Sequence, residues 1–144
     1  MERFAKRPQK IAIIQPVIGY GGGTEAVTAW CIEALKADWD VALITFSRVD
    51  PELFNSYYGT NLKDTDFRII RPGLPPFIGM TKRFSLLKDH LMMRYCKSVA
   101  WQFDLFLSST PMDFGQPGMQ FIQMGPESTF VRVAMGGSSI PLSY

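Results

Sequence analysis

Residues 10–46 read KIAIIQPVIGYGGGTEAVTAWCIEALKADWDVALITF, and this stretch decides the fold. Its apolar runs at 11–14 and 41–46 are short and rich in β-branched residues, as is typical of strands buried on both faces. Between them, apolar residues recur at helical spacing from Val27 to Leu35. A strand, a helix and a strand within about 40 residues form a β-α-β unit, whose two strands are expected to be parallel.

The sequence beyond residue 46 continues to alternate strand and helix patterns. We therefore predict an α/β fold: a Rossmann-like open parallel sheet of about five strands, with flanking helices and the strand order 3-2-1-4-5. Short apolar runs and helical spacing give the remaining elements, which are strands at 67–70, 104–109 and 119–123 and helices at 51–58 and 81–102.

Two segments are predicted to lack regular structure. Residues 71–76 contain three prolines, which remove backbone donors and fix φ. Residues 131–144 carry glycines and serines without apolar periodicity, and we predict an irregular tail there. The domain is accordingly expected to occupy residues 1–130.

The composition is that of a globular domain. The 144 residues are 47% hydrophobic and 19% charged, and a net charge of +2 is too small to suggest a nucleic-acid partner. No stretch approaches the roughly 20 apolar residues of a membrane-spanning helix, and no secretory signal is recognised, so cytoplasm is the expected compartment. Cys31 and Cys96 have no histidine or second cysteine nearby in sequence, which favours free thiols over a metal site or a disulfide.

A glycine-rich loop, residues 19–23, follows the first predicted strand. In open α/β folds, ligands bind at this carboxyl edge of the sheet. The glycines let a ligand approach the backbone, and free N–H groups at the start of the next helix favour an anion such as phosphate. Thr24 is predicted to cap that helix, with Glu25 in its first turn. The alternative is a tight turn that binds nothing.

The loop departs from two familiar phosphate-binding motifs. A Walker A loop needs a lysine before the helix, and none occurs between Lys10 and Lys36, which excludes that kind of site. A dinucleotide fingerprint needs a third glycine where Thr24 stands. It also needs an acidic residue at the end of the second strand, where none occurs before Asp50. A nicotinamide-dependent oxidoreductase is therefore a disfavoured alternative.

Two blocks of sequence resemble a known family. Residues 10–14, the run from Gly21 to Glu25 and residues 40–45 resemble the opening of retaining glycosyltransferases of the GT-B fold, related to glycosyltransferase family 4. Residues 103–115 and 118–123 resemble a later region of the same family. They are most similar to the branch that extends lipid-linked mannose oligosaccharides. The resemblance covers residues 10–127.

The resemblance implies two Rossmann-like domains that face each other across a cleft. The first binds the acceptor, a glycan or glycolipid, and the second holds the nucleotide-sugar. This chain corresponds to the first, so we expect no catalytic residue, metal or cofactor in it and no sugar transfer by the chain alone. It would be a fragment, a truncated gene product, or a subunit that works with a separate donor-binding domain or subunit. The ligand-binding residues implied are Gly21, Gly22, Gly23, Thr24, Glu25 and Gln123; the three glycines and Glu25 would line the cleft near the donor phosphates or the acceptor.

Gln123 departs from the family, which usually has a histidine at that position. Glutamine hydrogen-bonds a sugar hydroxyl but carries no proton at neutral pH. The cleft-facing edge is further expected to expose an apolar patch that includes Met112 and residues 124–126. A different class of protein, a non-catalytic Rossmann-like module for a nucleotide or sugar phosphate, is the alternative.

A peripheral membrane contact is predicted around the long helix. Between residues 82 and 97 the sequence has five basic residues and one acidic residue, Asp89. Basic helices with bulky apolar side chains bind anionic membrane surfaces, here the inner surface of the membrane. The alternative is a helix that packs on the sheet through Phe84, Leu87, Leu91, Tyr95 and Val99, with Met92 off this stripe. The residues predicted to face the membrane are Phe77, Lys82, Arg83 and Lys88.

Overall fold

The fold is described from a computed structural model, which covers residues 8–79, 85–109, 112–113, 118–124 and 128–134. The amino-terminal half contains β1 (Gln9–Ile14), α1 (Gly23–Leu35), β2 (Trp39–Ile44), α2 (Pro51–Tyr58) and β3 (Arg68–Ile70). The other elements are α3 (Pro76–Gly79), α4 (Ser85–Val99), a 3-10 turn (Ala100–Gln102), β4 (Leu105–Ser108), β5 (Gly118–Met124) and β6 (Ser128–Ala134).

The strands form a single sheet in the order β3-β2-β1-β4-β5-β6. The first five strands are parallel, with β1 between β2 and β4, which confirms the predicted fold class and strand order. Ile13 of β1 lies beside Leu43 of β2 and Leu107 of β4. These strands are buried on both faces, which explains their continuous apolar sequences.

The sixth strand corrects the predicted boundary of the tail. β6 runs antiparallel to β5 and pairs Val131 with Phe121 and Val133 with Met119. Residues 131–134 are therefore in a strand, because their antiparallel pairing satisfies the backbone donors and acceptors that β5 would otherwise present at the sheet edge. The remainder of the predicted tail, residues 135–144, lies outside the described residues.

Helices cover both faces of the sheet. Alternate side chains of the central strands point to opposite faces, so that each strand contributes to two cores. On one face they pack against α1 and α2, through Ala29, Ile32 and Phe54. On the other face they pack against α4 through Met92 and Cys96, together with Phe103 and Met112.

The buried face of α4 differs from the predicted stripe. Met92 and Cys96 are fully buried, whereas Leu87 is exposed and Tyr95 is half-buried. The helix lies against the small side chain of Ala12 and its neighbours in the same core, which accommodates the thioether and the thiol. Met92 is therefore a core residue, and its prediction as an off-stripe position is wrong.

The proline-rich segment and α2 follow the sequence more closely. Residues 71–75 are irregular as predicted, but Pro76 begins the four-residue helix α3, because a proline's fixed φ suits the first position of a helix. The Asp50 side chain caps α2 by accepting the Glu52 N–H at 2.9 Å, and Gly59 ends it with φ of 69°. α2 has the predicted bounds.

Candidate functional site

The carboxyl ends of β1 and β4 form the crossover point of the sheet. The connection after β1 passes over one face through α1, whereas α4 leads into β4 over the other face. A crevice at such a point is where open α/β sheets bind ligands. Gln15 directly follows β1 and Ser109 directly follows β4, so each strand places a polar side chain there.

Gln15 connects these two strand ends with α1. Its amide nitrogen donates to the Val17 carbonyl at 3.0 Å and to Thr24 Oγ1 at 3.5 Å. Its amide oxygen accepts from Thr28 Oγ1 at 3.2 Å and from Ser109 Oγ. Gln15, Thr28 and Ser109 are all buried. The result is a cluster of neutral hydrogen-bonding groups whose central amide uses both donors and both acceptor positions.

Three N–H groups of the glycine loop have acceptors within the protein. Ile18 donates to Ser47 Oγ at 2.9 Å, Gly19 to Glu25 Oε1 at 3.2 Å and Gly21 to Tyr58 Oη at 2.7 Å. The expectation of free N–H groups concerned the start of α1 and stays a prediction there; these three N–H groups, of which that of Ile18 directly precedes the loop, lie before the helix and are bonded within the protein. Gly21 has φ of 99°, which favours glycine over every residue with a side chain.

Tyr20 attaches the glycine loop to the start of α2. Its hydroxyl accepts from the Asp50 N–H at 2.8 Å and donates to the Asp50 carbonyl at 3.4 Å. Its ring stacks on Tyr57 with centroids 6.0 Å apart and contacts Phe54 at 5.5 Å. Tyr20 also has φ of 52°, a left-handed conformation that is uncommon for an aromatic residue. The hydrogen bonds and ring contacts of its side chain hold Tyr20 in this left-handed conformation.

Thr24 was predicted to cap α1, but it does not. The N-cap is Gly22, and Thr24 lies inside the first turn, where its hydroxyl donates to Glu25 Oε2 at 2.9 Å. Glu25 is in the first turn as predicted. Its carboxylate lies so close to Gly22 that a Cβ atom at that position would collide with Oε2. A side chain at Gly22 would therefore displace the Glu25 carboxylate from its present position.

The structure brings together five of the six predicted ligand-binding positions. Gly21, Gly22, Gly23, Thr24 and Glu25 form the end of the loop and the first turn of α1. Gln123 lies near the carboxyl end of β5, paired with Thr129, and its side chain is outside the described residues. Sequence analysis missed Gln15, Ser47, Tyr20, Tyr58 and Ser109. A polar residue immediately after a buried strand was the available signal for Gln15 and Ser109.

An open groove of about 840 Å³ lies beside the loop. It continues from Tyr20 along the start of α2 toward residues 62–64. Charged side chains of both signs line it, including Arg48, Glu52, Lys63 and Asp64. The groove therefore adds accessible surface beside the glycine loop, and this surface carries charges of both signs.

The predicted membrane-facing and apolar surfaces are only partly described. Lys82 and Arg83 lie outside the described residues, as does the side chain of Phe77, and Lys88 is half-buried on α4. Among the described helices none is long and apolar enough to cross a membrane. Met112, expected on an exposed apolar patch, is buried, because it packs in the same core as Met92 and Cys96 of α4.

The titratable groups that often mark metal or nucleophilic sites lie elsewhere. Within the described ranges, no three His, Cys, Asp or Glu side chains are grouped closely enough to hold a metal ion. His90 is exposed on α4. Both cysteines are free, and burial raises the pKa of the Cys96 thiol to about 12, which disfavours the reactive thiolate.

Comparisons of the chain with protein-family models, with curated proteins and with solved structures found no match.

Proposed function

We propose that the chain is the acceptor-side, Rossmann-like half of a family 4-type glycosyltransferase and binds a glycan at the carboxyl edge of its sheet. One observation carries this proposal: the buried neutral cluster around Gln15 lies at the β1–β4 crossover, next to the glycine loop. The sheet order and the quoted motifs support the same proposal.

The chemistry of this edge suits a polyhydroxyl ligand. Sugar hydroxyls both donate and accept, and hydroxyl, amide and carboxylate groups offer both possibilities. Thr24 and Glu25 provide such groups around the crevice, and Tyr57, whose side chain is exposed next to Tyr20, offers an aromatic face. A glycan with several free hydroxyls can engage the crevice and the neighbouring groove together.

The same chemistry is less suited to a nucleotide or sugar phosphate. In the described part of the chain, the hydrogen bonds of this cluster involve no lysine or arginine. A phosphate would therefore meet the Glu25 carboxylate without an observed cation to compensate. This favours the acceptor over the phosphate-binding module.

The remaining parts of the proposal come from the family resemblance. It places the nucleotide-sugar on a second domain or subunit, so the 144 residues alone are expected to transfer no sugar. It also suggests a lipid-linked mannose acceptor, which we propose is met at the cytoplasmic face of a membrane.

Binding of a mannose oligosaccharide by calorimetry tests the proposal. We expect saturable binding to the purified chain that Ser109→Ala weakens by about tenfold, because one hydrogen bond to the ligand or to Gln15 is lost. Ser98→Ala is the matched control, since Ser98 is an exposed serine of α4 whose hydroxyl donates to the Tyr95 carbonyl of the same helix. Absence of binding, or equal binding by both variants, would reject an acceptor site at this edge.

A further inference from the structure

The two edges of the sheet differ in how they are protected from further strand pairing. β3 forms one edge with only three residues, begins with Arg68 and is followed closely by Pro72. Short strands, charges and prolines are the usual means of blocking an open edge. β6 forms the other edge with seven residues, Ser128–Ala134, which include no proline and a single charged residue, Arg132. The β6 edge therefore lacks the features that block the β3 edge.

The outer backbone of β6 is open to another strand. All seven residues pair with β5 in unbroken register, so no bulge turns β6 away from the edge. Among the described residues, no strand pairs with the other side of β6. Alternate residues of an antiparallel strand direct their N–H and C=O groups to each side, so about half of the β6 backbone groups face away from β5. These groups form a template for a strand that lies alongside.

A second copy of the chain supplies a strand that fits this template. Two β6 strands related by a twofold axis are antiparallel, and each offers the other the same row of donors and acceptors. Opposite residues of an antiparallel pair either both exchange hydrogen bonds or both do not, so the axis passes through a residue and not between two. An axis through Val131, the middle of β6, pairs all seven residues, whereas a shift by one residue pairs only five.

The charge of β6 favours the same register. The axis through Val131 places Arg132 of one copy opposite Phe130 of the other copy, so that no two charges meet. An axis through Arg132 would place the two arginines directly opposite each other, and like charges in that position are destabilising. Length and charge therefore select one pairing of the two strands.

We propose that β6 is a dimerisation edge, at which two copies of the chain join their sheets into one, with the twofold axis at Val131. The partner is a second copy of this chain, and the contact is made chiefly by backbone hydrogen bonds. The proposal does not depend on the proposed function, since β5 separates β6 from the crossover between β1 and β4.

The mass of the unmodified 144-residue chain tests the dimer, and its amides locate the contact. In sedimentation equilibrium we expect the mass to rise twofold with concentration, from one chain to two. In hydrogen exchange followed by NMR, alternate β6 amides should become protected over the same range, while the amides bonded to β5 and those of β3 stay unchanged. The mass of one chain at every concentration, or a dimer in which the β6 amides do not respond, would overturn the proposal.

Thiol crosslinking tests the register. In a Cys31→Ala background, which leaves only the buried Cys96, Val131→Cys places two thiols directly opposite each other, with Cβ atoms about 5 Å apart. Thr129→Cys is the matched control, because it lies on the same strand but is four residues, about 14 Å, from its copy along the strand direction. With a short crosslinker that spans only the first distance, we expect a covalent dimer from Val131→Cys and none from Thr129→Cys. Equal crosslinking of both variants, or of neither, would contradict the pairing at Val131.

Discussion

At the scale of single residues, the glycine loop owes its shape to side chains that are distant in sequence. The Tyr58 hydroxyl accepts the Gly21 N–H across 37 residues of sequence. The Ser47 hydroxyl accepts the N–H of Ile18, directly before the loop, across 29 residues. Within the loop, the Tyr20 hydroxyl accepts a hydrogen bond from the Asp50 N–H. The loop is thus positioned before any ligand arrives, which reduces the ordering cost of binding.

Removal of the Tyr58 hydroxyl tests this positioning. In Tyr58→Phe the Gly21 N–H loses its 2.7 Å acceptor, and we expect a loss of about 1 kcal/mol in the free energy of unfolding. Hydrogen exchange at Gly21 should accelerate, as measured by NMR alongside urea unfolding. Tyr57→Phe is the control, because Tyr57 stacks on Tyr20 through its ring, which phenylalanine keeps. Equal effects of the two changes would contradict a specific role for the Tyr58 hydroxyl.

Sequence alone placed the glycine loop after β1 but did not predict its internal contacts. A glycine-rich loop after a buried strand is a local pattern, and it correctly placed Gly21 and Glu25 at the carboxyl edge. Which acceptor each N–H finds depends on how α2 lies beside the loop, which no local pattern encodes. For that reason Thr24 was predicted as a cap, whereas it bonds Glu25.

At the scale of elements, α2 is the helix that carries Tyr58 to the loop, and its end depends on Gly59. Gly59 has φ of 69°, so Gly59→Ala should destabilise the domain by about 1 kcal/mol. Gly73→Ala is the control, since Gly73 has no positive φ and open space around its Cβ direction. Urea unfolding measures both variants, and a neutral Gly59→Ala would show that the end of α2 tolerates a side chain.

The buried face of α4 predicts an alkaline loss of stability. Burial raises the pKa of the Cys96 thiol from 9.0 to about 12, so the folded state holds this proton more tightly than the unfolded state. The resulting stability is fully present below pH 9 and is lost progressively as the pH rises toward 12. Unfolding free energies over this range should fall more steeply for the wild type than for Cys96→Ala.

Cys31→Ala provides the comparison for Cys96→Ala. Burial also raises the pKa of the Cys31 thiol, but Cys31 is only half-buried, and removing it should change the slope less. Parallel curves for the wild type and Cys96→Ala would contradict the expectation. The orientation of α4 could be predicted from spacing only in part: Tyr95 and Val99 of the predicted stripe pack against the core, but the fully buried positions are Met92 and Cys96.

At the scale of the whole molecule, the architecture could be predicted because the central strands β1, β2 and β4 carry continuous apolar runs that a two-sided parallel sheet buries. β6 could not, since its antiparallel pairing is made through the backbone at the edge of β5, which no local sequence pattern encodes. The membrane contact stays a prediction. Its basic residues lie partly outside the described ranges.

Co-sedimentation with vesicles tests the membrane contact. We expect binding to anionic vesicles at low salt, weakened by high salt, with each basic side chain contributing about 1 kcal/mol near the surface. Lys82→Glu with Arg83→Glu should abolish it, whereas Lys63→Glu, a charge reversal outside the predicted basic segment, should not. Equal and negligible sedimentation with anionic and neutral vesicles would reject the contact and leave a soluble acceptor.

The central proposal is that the carboxyl edge of the sheet binds a glycan. The most direct test is an amide chemical-shift map of the chain during titration with a mannose oligosaccharide. We predict saturable shifts at Gly19, Gly21 and Ser109, and none at Lys10 and Asp104, whose reciprocal backbone and carboxylate hydrogen bonds join β1 and β4 at the opposite edge. Shifts confined to the amino edge, or no saturable shifts at all, would contradict the proposal.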